Sequence, residues 1–278
     1  MNNYLNPVFD LNNPEFISVI DELPLWSAPF GMKLLDKIIY RKNITALDIG
    51  FGLGFPLLEV AMRLGNTCKV YGIDPWQKAA ERTGIKLDYY EISNVDIING
   101  AAEYIPLPDN SVDLIFSNNG INNVDDINQT LKECKRIARS GAQFVFTFNT
   151  DKTMIEFYSA LESVLTDMNL PSEVEKMKQH IYEKRKPVEE MVYILMENNF
   201  SINEVSHYEF HYTFVDGTAL FNHFLIRLAF IESWKKIIPG ALQETVFKET
   251  EKRLNTLAEE PGSLNLTVPF ALIDSVRN

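Results

Sequence analysis

The chain has 278 residues, of which 46% are hydrophobic and 23% are charged, as in ordinary globular proteins. Its 26 Lys and Arg residues and 38 Asp and Glu residues give a net charge of -12, which disfavours nucleic acid or an anionic membrane as the main partner. The most apolar later run, residues 219–234, is interrupted by polar and charged side chains, so we expect no membrane span.

The cysteines and the first residues bear on where the protein works. Cys68 and Cys134 are the only two cysteines, too few for a disulfide framework. The opening residues lack the basic and apolar regions of a signal peptide. We therefore expect a cytoplasmic protein.

Residues 1–42 carry apolar side chains at roughly helical spacing, among them Trp26 and Phe30. Two interpretations fit this amino-terminal segment. It forms helices packed on the core, or a helical lid whose aromatic side chains close over a ligand.

A strand, a glycine turn and a helix then follow one another. Ile44 to Ile49 is short, apolar and β-branched, which is typical of a buried strand. Its end carries an acid and three closely spaced glycines: Asp48, Gly50, Gly52 and Gly54. Phe55 to Leu64 has helical spacing, with Pro56 in the first turn. Such a turn lets a ligand approach the main chain, and the helix N-terminus offers unpaired N–H groups to an anion.

Strands and helices alternate over about the next hundred residues. We predict strands at 68–73, 95–99, 112–117 and 142–149, and helices at 76–92 and 126–139, the second ended by Ser140 and Gly141. Asp74 ends the strand at 68–73, and Asn118 and Asn119 follow the strand at 112–117. This alternation predicts a parallel, doubly wound sheet, in which the ligand crevice lies at the carboxyl ends of the strands.

Beyond residue 150 the pattern changes to helices without intervening strands. We predict helices at 154–168, 173–186, 187–200 and 218–257, and strands at 202–215 and 264–276. Pro269 in the last strand fits an edge position, a bulge or the end of a strand segment. We predict one domain over residues 1–278, with a cofactor-binding core at 43–150 and helical insertions at 151–186 and 217–260 that contact the substrate. The apolar residues of 221–234 are typical of a core or of a dimer face, which leaves a homodimer open.

Four motifs occur in order: ALDIGFGLG, YGIDP, NGAAEYIPLPDNSVDLIFSNN and FVFTFN. Together they resemble the class I S-adenosylmethionine-dependent methyltransferases, most closely the small-molecule and quinone branch. The resemblance covers residues 43–149, and several ordered motifs are more specific than one glycine turn. It implies a Rossmann-like α/β fold with a doubly wound sheet of seven mostly parallel strands, the last one antiparallel.

The resemblance also implies a role for each matching position. Asp48, Gly50, Gly52 and Gly54 would form the turn around the methionyl end of S-adenosylmethionine, and Asp74 would bind the ribose hydroxyls. Pro75 or Trp76 would lie against the adenine, whose edge would be lined by Ala101, Ala102 and Glu103. Ser117, Asn118 and Asn119 would border the sulfonium. Where many family members have an acid that binds the adenine amino group, this chain has Ala101; Glu103 or a backbone carbonyl would have to replace it.

The residues themselves favour the same ligand. A pyrophosphate-binding turn has no acid leading into it, and the Asp48 carboxylate would repel a pyrophosphate but not the ammonium group of an amino acid. The alternatives are a tight turn without a ligand for the glycines, and a helix N-cap for Asp74.

Methyl transfer from a sulfonium is an in-line displacement, so positioning and water exclusion suffice, and a base is needed only if the acceptor must lose a proton. His207 and His211 share one face of a predicted strand and are weak candidates for such a base. On a strand they would lie about 13 Å apart, so we expect no metal site there. Exposed or partly buried strand histidines are the other interpretation.

We therefore expect an S-adenosylmethionine-dependent methyltransferase that acts on a small organic acceptor, without nucleic acid as a partner. Two other hypotheses stay open at this point. One is a nucleotide-dependent oxidoreductase on the same sheet, and the other is a non-catalytic protein that keeps the cofactor site.

Overall fold

The computed structural model describes residues 3–21 and 25–278. The predicted amino-terminal segment 1–42 includes residues 1–2 and 22–24, which lie outside the described residues. The described chain forms two compact units. The first unit comprises residues 3–9, 150–185 and 209–269, and the second comprises 10–149, 186–208 and 270–278.

Seven strands form one sheet in the order β3-β2-β1-β4-β5-β7-β6. Their bounds are β1 Thr45–Ile49, β2 Lys69–Asp74, β3 Val95–Asn99, β4 Val112–Asn118, β5 Ala138–Asn149, β6 Phe200–Phe214 and β7 Leu264–Arg277. Strands β1 to β5 pair in parallel, and β7 runs antiparallel to β5. The predicted fold class, a doubly wound sheet with an antiparallel last strand, is confirmed.

The helices of the second unit cover both faces of the sheet. They are α1 Pro14–Asp21, α2 Ser27–Lys37, α3 Leu57–Leu64, α4 Gln77–Tyr89, α5 Ile127–Ile137 and α8 Val188–Glu197. Alternate residues of one strand belong to different apolar clusters, because successive side chains of a strand point to opposite faces. Leu47 and Ile49 pack with residues of α5 and α8, whereas Ala46 packs with residues of α2 and α3.

The helices of the first unit are α6 Ile155–Asp167, α7 Pro171–Lys184, α9 Gly217–Asn222, α10 Phe224–Ala229, α11 Ile231–Lys235 and α12 Gln243–Glu259. Phe221 and Trp234, which the sequence assigns to a core or a dimer face, are fully buried. Trp234 stacks on Phe157 with ring centroids 3.7 Å apart, and its indole Nε1 donates to the Tyr158 hydroxyl at 3.1 Å. The apolar spacing of this segment therefore belongs to the interior of the first unit.

Some predicted boundaries are wrong, and each error has a structural cause. Helix α5 ends at Ile137, and Ser140 and Gly141 lie inside β5, whose pairing with β4 already begins at Ala138. The predicted helix at 218–257 is divided into α9, α10, α11 and α12 by short breaks, one of them at Pro239. Pro269 lies where pairing with β5 stops at Phe270, so the end of a strand segment is the right alternative; β7 is not an edge strand.

Phe30 of α2 is fully buried and contacts the ring of Phe270, with centroids 4.6 Å apart. Its ring therefore belongs to the core of the second unit, as in the packing interpretation. The lid role of residues 1–42 stays a prediction. Within the described ranges, no helix combines the length and the hydropathy that crossing a membrane requires.

Candidate active site

A cavity of about 380 Å³ lies in the second unit, where parallel strands end. Ile49 ends β1, Asp74 ends β2 and Asn118 ends β4, and all three line the cavity. These strands are neighbours in the sheet, so their carboxyl ends meet at one edge. In a doubly wound sheet this edge, at the point where strand order reverses, is the ligand crevice.

Asp74 is a charged residue of this cavity that is held by backbone hydrogen bonds. Its Oδ1 accepts the backbone N–H of Trp76 at 2.8 Å, and its Oδ2 accepts that of Gly52 at 2.9 Å. Burial raises the pKa of the Asp74 carboxyl, and the two N–H donors oppose that shift. Because a carboxylate has about four acceptor sites, Asp74 keeps capacity for two more donors, such as the hydroxyls of a ribose. The alternative of a helix N-cap is wrong for Asp74, because α4 begins at Gln77 and its N-cap residue is Trp76.

Gly50 and Gly120 let the main chains that follow β1 and β4 approach each other closely. Gly50 has a φ of +77°, and a Cβ there would come within 3.0 Å of Gly120 Cα. A Cβ on Gly120 would come within 2.6 Å of the carbonyl oxygen of Ile49, closer than real Cβ contacts. The main chains therefore approach closely only because both residues lack side chains, and both line the cavity.

The loop after β3 forms another wall, through Ala101, Ala102 and Glu103. Glu103 Oε1 accepts the backbone N–H groups of Asp125 and Asp126, at 2.8 and 3.0 Å. This oxygen therefore holds the start of α5 against the loop. The predicted substitution of Glu103 for the missing acid at Ala101 stays a prediction, and it would have to use the other carboxylate oxygen.

The asparagines at the end of β4, Asn118 and Asn119, line the cavity and are held by several hydrogen bonds. Asn118 Nδ2 donates to the carbonyl oxygen of Ser27 at 3.0 Å, and Asn118 Oδ1 accepts from the Thr147 hydroxyl at 3.0 Å. Asn119 has a φ of +55°, in the left-handed region that Asn tolerates better than most residues. Ser117 is fully buried and outside the lining; its hydroxyl donates to the Ile49 carbonyl oxygen at 2.7 Å and ties β4 to β1.

Asp48 lies beneath the glycine turn and outside the lining of the cavity. It is fully buried on the α2 and α3 face of the sheet, and within the described part of the chain neither carboxylate oxygen has a hydrogen-bond partner. Burial raises the pKa of the Asp48 carboxyl well above its usual value, and the nearby Asp74 charge adds to this; the backbone N–H of Leu57, which lies near the carboxylate but outside hydrogen-bonding geometry, opposes it. The predicted contact of Asp48 with a ligand stays a prediction.

Several other predicted site residues also lie outside the lining. The backbone N–H of Gly52 donates a hydrogen bond to the Asp74 carboxylate, and Gly54 packs near Leu58. The indole Nε1 of Trp76 donates to the Leu11 carbonyl oxygen at 3.3 Å. Of Pro75 and Trp76, the two residues predicted to lie against the adenine, only Pro75 lines the cavity.

The candidate bases His207 and His211 are both exposed on β6, and neither lines the cavity. His211 Nε2 lies 3.3 Å from a carboxylate oxygen of Glu209. A role for either histidine as a base stays a prediction, and the interpretation as exposed strand histidines agrees with their positions.

The sequence interpretation missed one side of the cavity. Gly120, Asn123, Val124 and Asp125 line it, together with Ile49 and Ile73 at the ends of β1 and β2. Gly120 could have been predicted from the sequence, because a glycine directly after a strand at the crevice edge permits close approach of two main chains. Residues 123–125 precede α5 and carry no comparable pattern.

The fold and this cavity together define a doubly wound α/β protein with a cavity at the carboxyl ends of its parallel strands, lined by the carboxylate that ends the second strand. Comparison with known proteins makes the class specific. Residues 47–146 match the methyltransferase domain family. This match agrees with the resemblance of the motif series to the class I S-adenosylmethionine-dependent methyltransferases.

Curated relatives match a little under half of the chain. A demethylmenaquinone methyltransferase of a Geobacillus species is 31% identical over 123 residues, which are 44% of this chain and 53% of the relative. One of Bacillus mycoides is 31% identical over 126 residues, 45% of this chain and 52% of the relative. The chain thus spans about half the length of the curated relatives it matches.

Solved structures support the fold over almost the whole chain. An S-adenosylmethionine-dependent methyltransferase of Aquifex aeolicus has a TM-score of 0.54 and 17% identity, covering 97% of this chain and 100% of that one. A geranyl diphosphate C-methyltransferase of Streptomyces coelicolor, solved with Mg²⁺, geranyl diphosphate and S-adenosylhomocysteine, has a TM-score of 0.55 and 14% identity. It covers 100% of this chain and 90% of that chain. At these identities the likeness concerns the fold alone.

Proposed function

We propose that the protein transfers a methyl group from S-adenosylmethionine to a small organic acceptor by in-line displacement. The observation that carries the proposal is Asp74, a carboxylate at the end of β2 that lines the cavity and keeps acceptor capacity after binding two backbone N–H groups.

The described residues fit S-adenosylmethionine. In the proposal, Asp74 accepts the ribose hydroxyls, and Pro75, Ala101 and Ala102 contact the adenine. The methionyl part lies against the main chain at Gly50 and Gly120, which approach each other closely only because neither residue carries a Cβ. Asn118 and Asn119 border the place of the sulfonium. In the proposal, the role of Asp48 is structural: it lies beneath the glycine turn.

When bound, S-adenosylmethionine supplies a methyl group on a positively charged sulfur. The chain's own residues then have two tasks, to hold the acceptor in line with that methyl group and to keep water out. Among the described residues, those that line the cavity include no histidine, lysine, tyrosine or cysteine. This composition supports a mechanism in which positioning contributes most, and the carboxylates Asp74, Glu103 and Asp125 are the groups of this lining that could accept a proton from the acceptor.

The acceptor class is also a proposal. The relatives are named for demethylmenaquinone and one structural neighbour for geranyl diphosphate, both small organic molecules. These names support a small-molecule acceptor for this chain. We further propose that the insertions 151–186 and 217–260 select the acceptor.

A cytoplasmic location fits the two buried free thiols of Cys68 and Cys134. Light scattering would test the homodimer that the sequence leaves open.

Isothermal titration of the full chain with S-adenosylmethionine and with S-adenosylhomocysteine tests the cofactor assignment. We expect saturable micromolar binding of both, and no comparable binding of NADH. Tight binding of NADH without binding of S-adenosylhomocysteine would overturn the proposal. Incubation with labelled S-adenosylmethionine and a library of small organic acceptors, read out by product mass, then tests methyl transfer. Cofactor binding without transfer to any acceptor class would favour a non-catalytic binding protein.

A further inference from the structure

Lys86 of α4 contacts the glycine turn that follows β1. Its Nζ donates to the carbonyl oxygen of Leu53, the residue between Gly52 and Gly54. Three residues earlier on the same helix, the hydroxyl of the fully buried Thr83 donates to the carbonyl oxygen of Gly52 at 3.3 Å. Side chains three residues apart lie on one face of a helix, so one face of α4 holds two successive carbonyl oxygens of the turn.

Holding these two carbonyl oxygens restricts the conformation of the turn. Gly52 and Gly54 both have positive φ, at +51° and +102°, and glycine gives the backbone more conformational freedom than any other residue. Since each peptide group is planar, a hydrogen bond to its carbonyl oxygen also orients its N–H. The N–H of Gly52 is the group that donates to Asp74 Oδ2 at 2.9 Å. The bonds from α4 therefore stabilise the turn whose N–H orients the Asp74 carboxylate.

The Lys86 ammonium is held in place by an acid of α1. Asp21 Oδ1 accepts from Lys86 Nζ at 2.7 Å, and Asp21 Oδ2 accepts from Arg82 Nε at 2.8 Å. The side chains of Lys86 and Asp21 are 17% and 11% exposed, against 32% and 47% for the Lys78–Glu81 pair on the same helix. An ion pair shielded from water is screened less than an exposed one. Asp21 therefore keeps the ammonium at the turn more firmly than a surface acid would.

Residues 11–21 are also attached at their other end. The carbonyl oxygen of Leu11 accepts from the indole Nε1 of Trp76 at 3.3 Å, and the backbone N–H of Trp76 donates to Asp74 Oδ1 at 2.8 Å. This segment is thus joined to both backbone donors of Asp74, directly at Trp76 and through Lys86 at the turn. None of residues 11–21, all of which the structure describes, lines the cavity. Any effect of this segment on a ligand of the cavity is therefore indirect.

We propose that Lys86 is a positioning residue for the Asp74 carboxylate, and that Asp21 completes this role by holding the Lys86 ammonium at the turn. Lys86 lies outside the cavity lining and acts through the Leu53 carbonyl oxygen and the neighbouring Gly52 N–H. With the turn held, the unused lone pairs of Asp74 keep one direction towards the ribose hydroxyls. The inference rests on the proposed use of S-adenosylmethionine and adds that α1 contributes to retention of the cofactor.

A double-mutant cycle read out by isothermal titration with S-adenosylhomocysteine tests this role. Lys86→Met should weaken binding about 3- to 10-fold, the effect of one lost hydrogen bond. In an Asp74→Ala background the same change should weaken binding less than about twofold, because its effect passes through the missing carboxylate. Lys78→Met, at an exposed ion pair of the same helix, should leave binding unchanged. Equal losses for Lys86→Met in both backgrounds would overturn the proposal.

Hydrogen–deuterium exchange tests the same role without relying on the cofactor. In the ligand-free chain, Lys86→Met and Asp21→Asn should speed exchange in residues 50–55, and Lys78→Met should not. Unchanged exchange there in both variants would overturn the inference. A chain that binds no S-adenosylhomocysteine would instead contradict the proposed function, and the ligand-free exchange would still decide the role of Lys86.

The unaltered chain gives a second measurement if neither variant folds. Saturation with S-adenosylhomocysteine should slow exchange in residues 11–21, because a ligand on Asp74 stabilises the bonds that hold this segment. Exchange in residues 11–21 that stays the same while the cavity segments become protected would contradict the proposal.

Discussion

The Asp74 carboxylate accepts the backbone N–H of Gly52 at 2.9 Å, joining the end of β2 to the turn that follows β1. The same carboxylate accepts the N–H of Trp76 at 2.8 Å through its other oxygen. One side chain thus fixes the glycine turn and the start of α4 together. It still presents unused lone pairs to the cavity, so a structural and a ligand-binding role coincide at this residue.

Asp74→Asn should weaken the binding of S-adenosylhomocysteine about 10- to 100-fold, or about 1 to 3 kcal/mol, because the amide offers fewer acceptor sites to the ribose. Isothermal titration measures the change, with circular dichroism to verify the fold. Asp96→Asn is the matched control, since Asp96 is an exposed strand acid that pairs with Lys69 and lies outside the cavity lining. An affinity within about twofold of the unaltered chain would mean that Asp74 only anchors the turn.

Gly120→Ala should lower both stability and cofactor affinity, because the new methyl group would lie 2.6 Å from the Ile49 carbonyl oxygen, a backbone atom that cannot move aside easily. Overpacking of this kind costs about 1 to 3 kcal/mol. Urea unfolding and titration with S-adenosylhomocysteine measure the two effects. Gly84→Ala is the control, since a Cβ at this helical position meets no atom within 4 Å and should stabilise the chain by up to about 1 kcal/mol. Wild-type stability and affinity for Gly120→Ala would contradict the close approach.

The sequence predicts the core well where short-range patterns decide structure. The bounds of β3 are predicted to the residue, since an apolar run between loops leaves one choice. The end of α5 is misplaced because Ala138 pairs with Val112 on a neighbouring strand, and that contact between distant residues overrides the local signal at Ser140 and Gly141. The helix predicted at 218–257 is interrupted near Pro239, where packing decides the direction of each shorter helix.

The same distinction holds for the site. Asp74 and the loop at Ala101 and Ala102 are found from local motifs, because each follows directly on a strand end. The position of Asp48 outside the cavity is not visible in the sequence, since it depends on which face of β1 packs against α3. The hydrogen bonds from the Asp125 and Asp126 N–H groups to Glu103 join segments more than twenty residues apart, and no spacing rule predicts them.

Arg136→Met should loosen the loop that carries Ala101 and Ala102, because Arg136 donates to the carbonyl oxygens of Ile105 and Leu107. Hydrogen–deuterium exchange should become faster in residues 100–108, and binding of S-adenosylhomocysteine should weaken about 3- to 10-fold as the loop pays more ordering entropy. Arg139→Met removes an arginine that instead bonds Asp113 and the Asn110 carbonyl oxygen, and should leave the loop protected. Unchanged exchange in Arg136→Met would show that the loop is held by other contacts.

Asp48 should make the stability of the fold depend on pH in the direction opposite to that of an ion-paired acid. Its folded-state pKa is raised by burial and by the Asp74 charge, so the folded chain binds a proton that the unfolded chain releases above about pH 4. The neutral form is therefore favoured at low pH, and stability falls as the pH rises from about 4 towards the folded-state pKa. Asp48→Asn removes this titration.

The free energy of unfolding of Asp48→Asn relative to the unaltered chain should increase between pH 5 and pH 8, by at most about 1.4 kcal/mol per pH unit. Urea unfolding at several pH values measures it, and Asp96→Asn, at an exposed acid, should show no such trend. A difference between Asp48→Asn and the unaltered chain that stays constant with pH would mean that the carboxyl titrates alike in both states. It would then be solvated or paired in the folded chain, in conflict with its complete burial without a hydrogen-bond partner among the described residues.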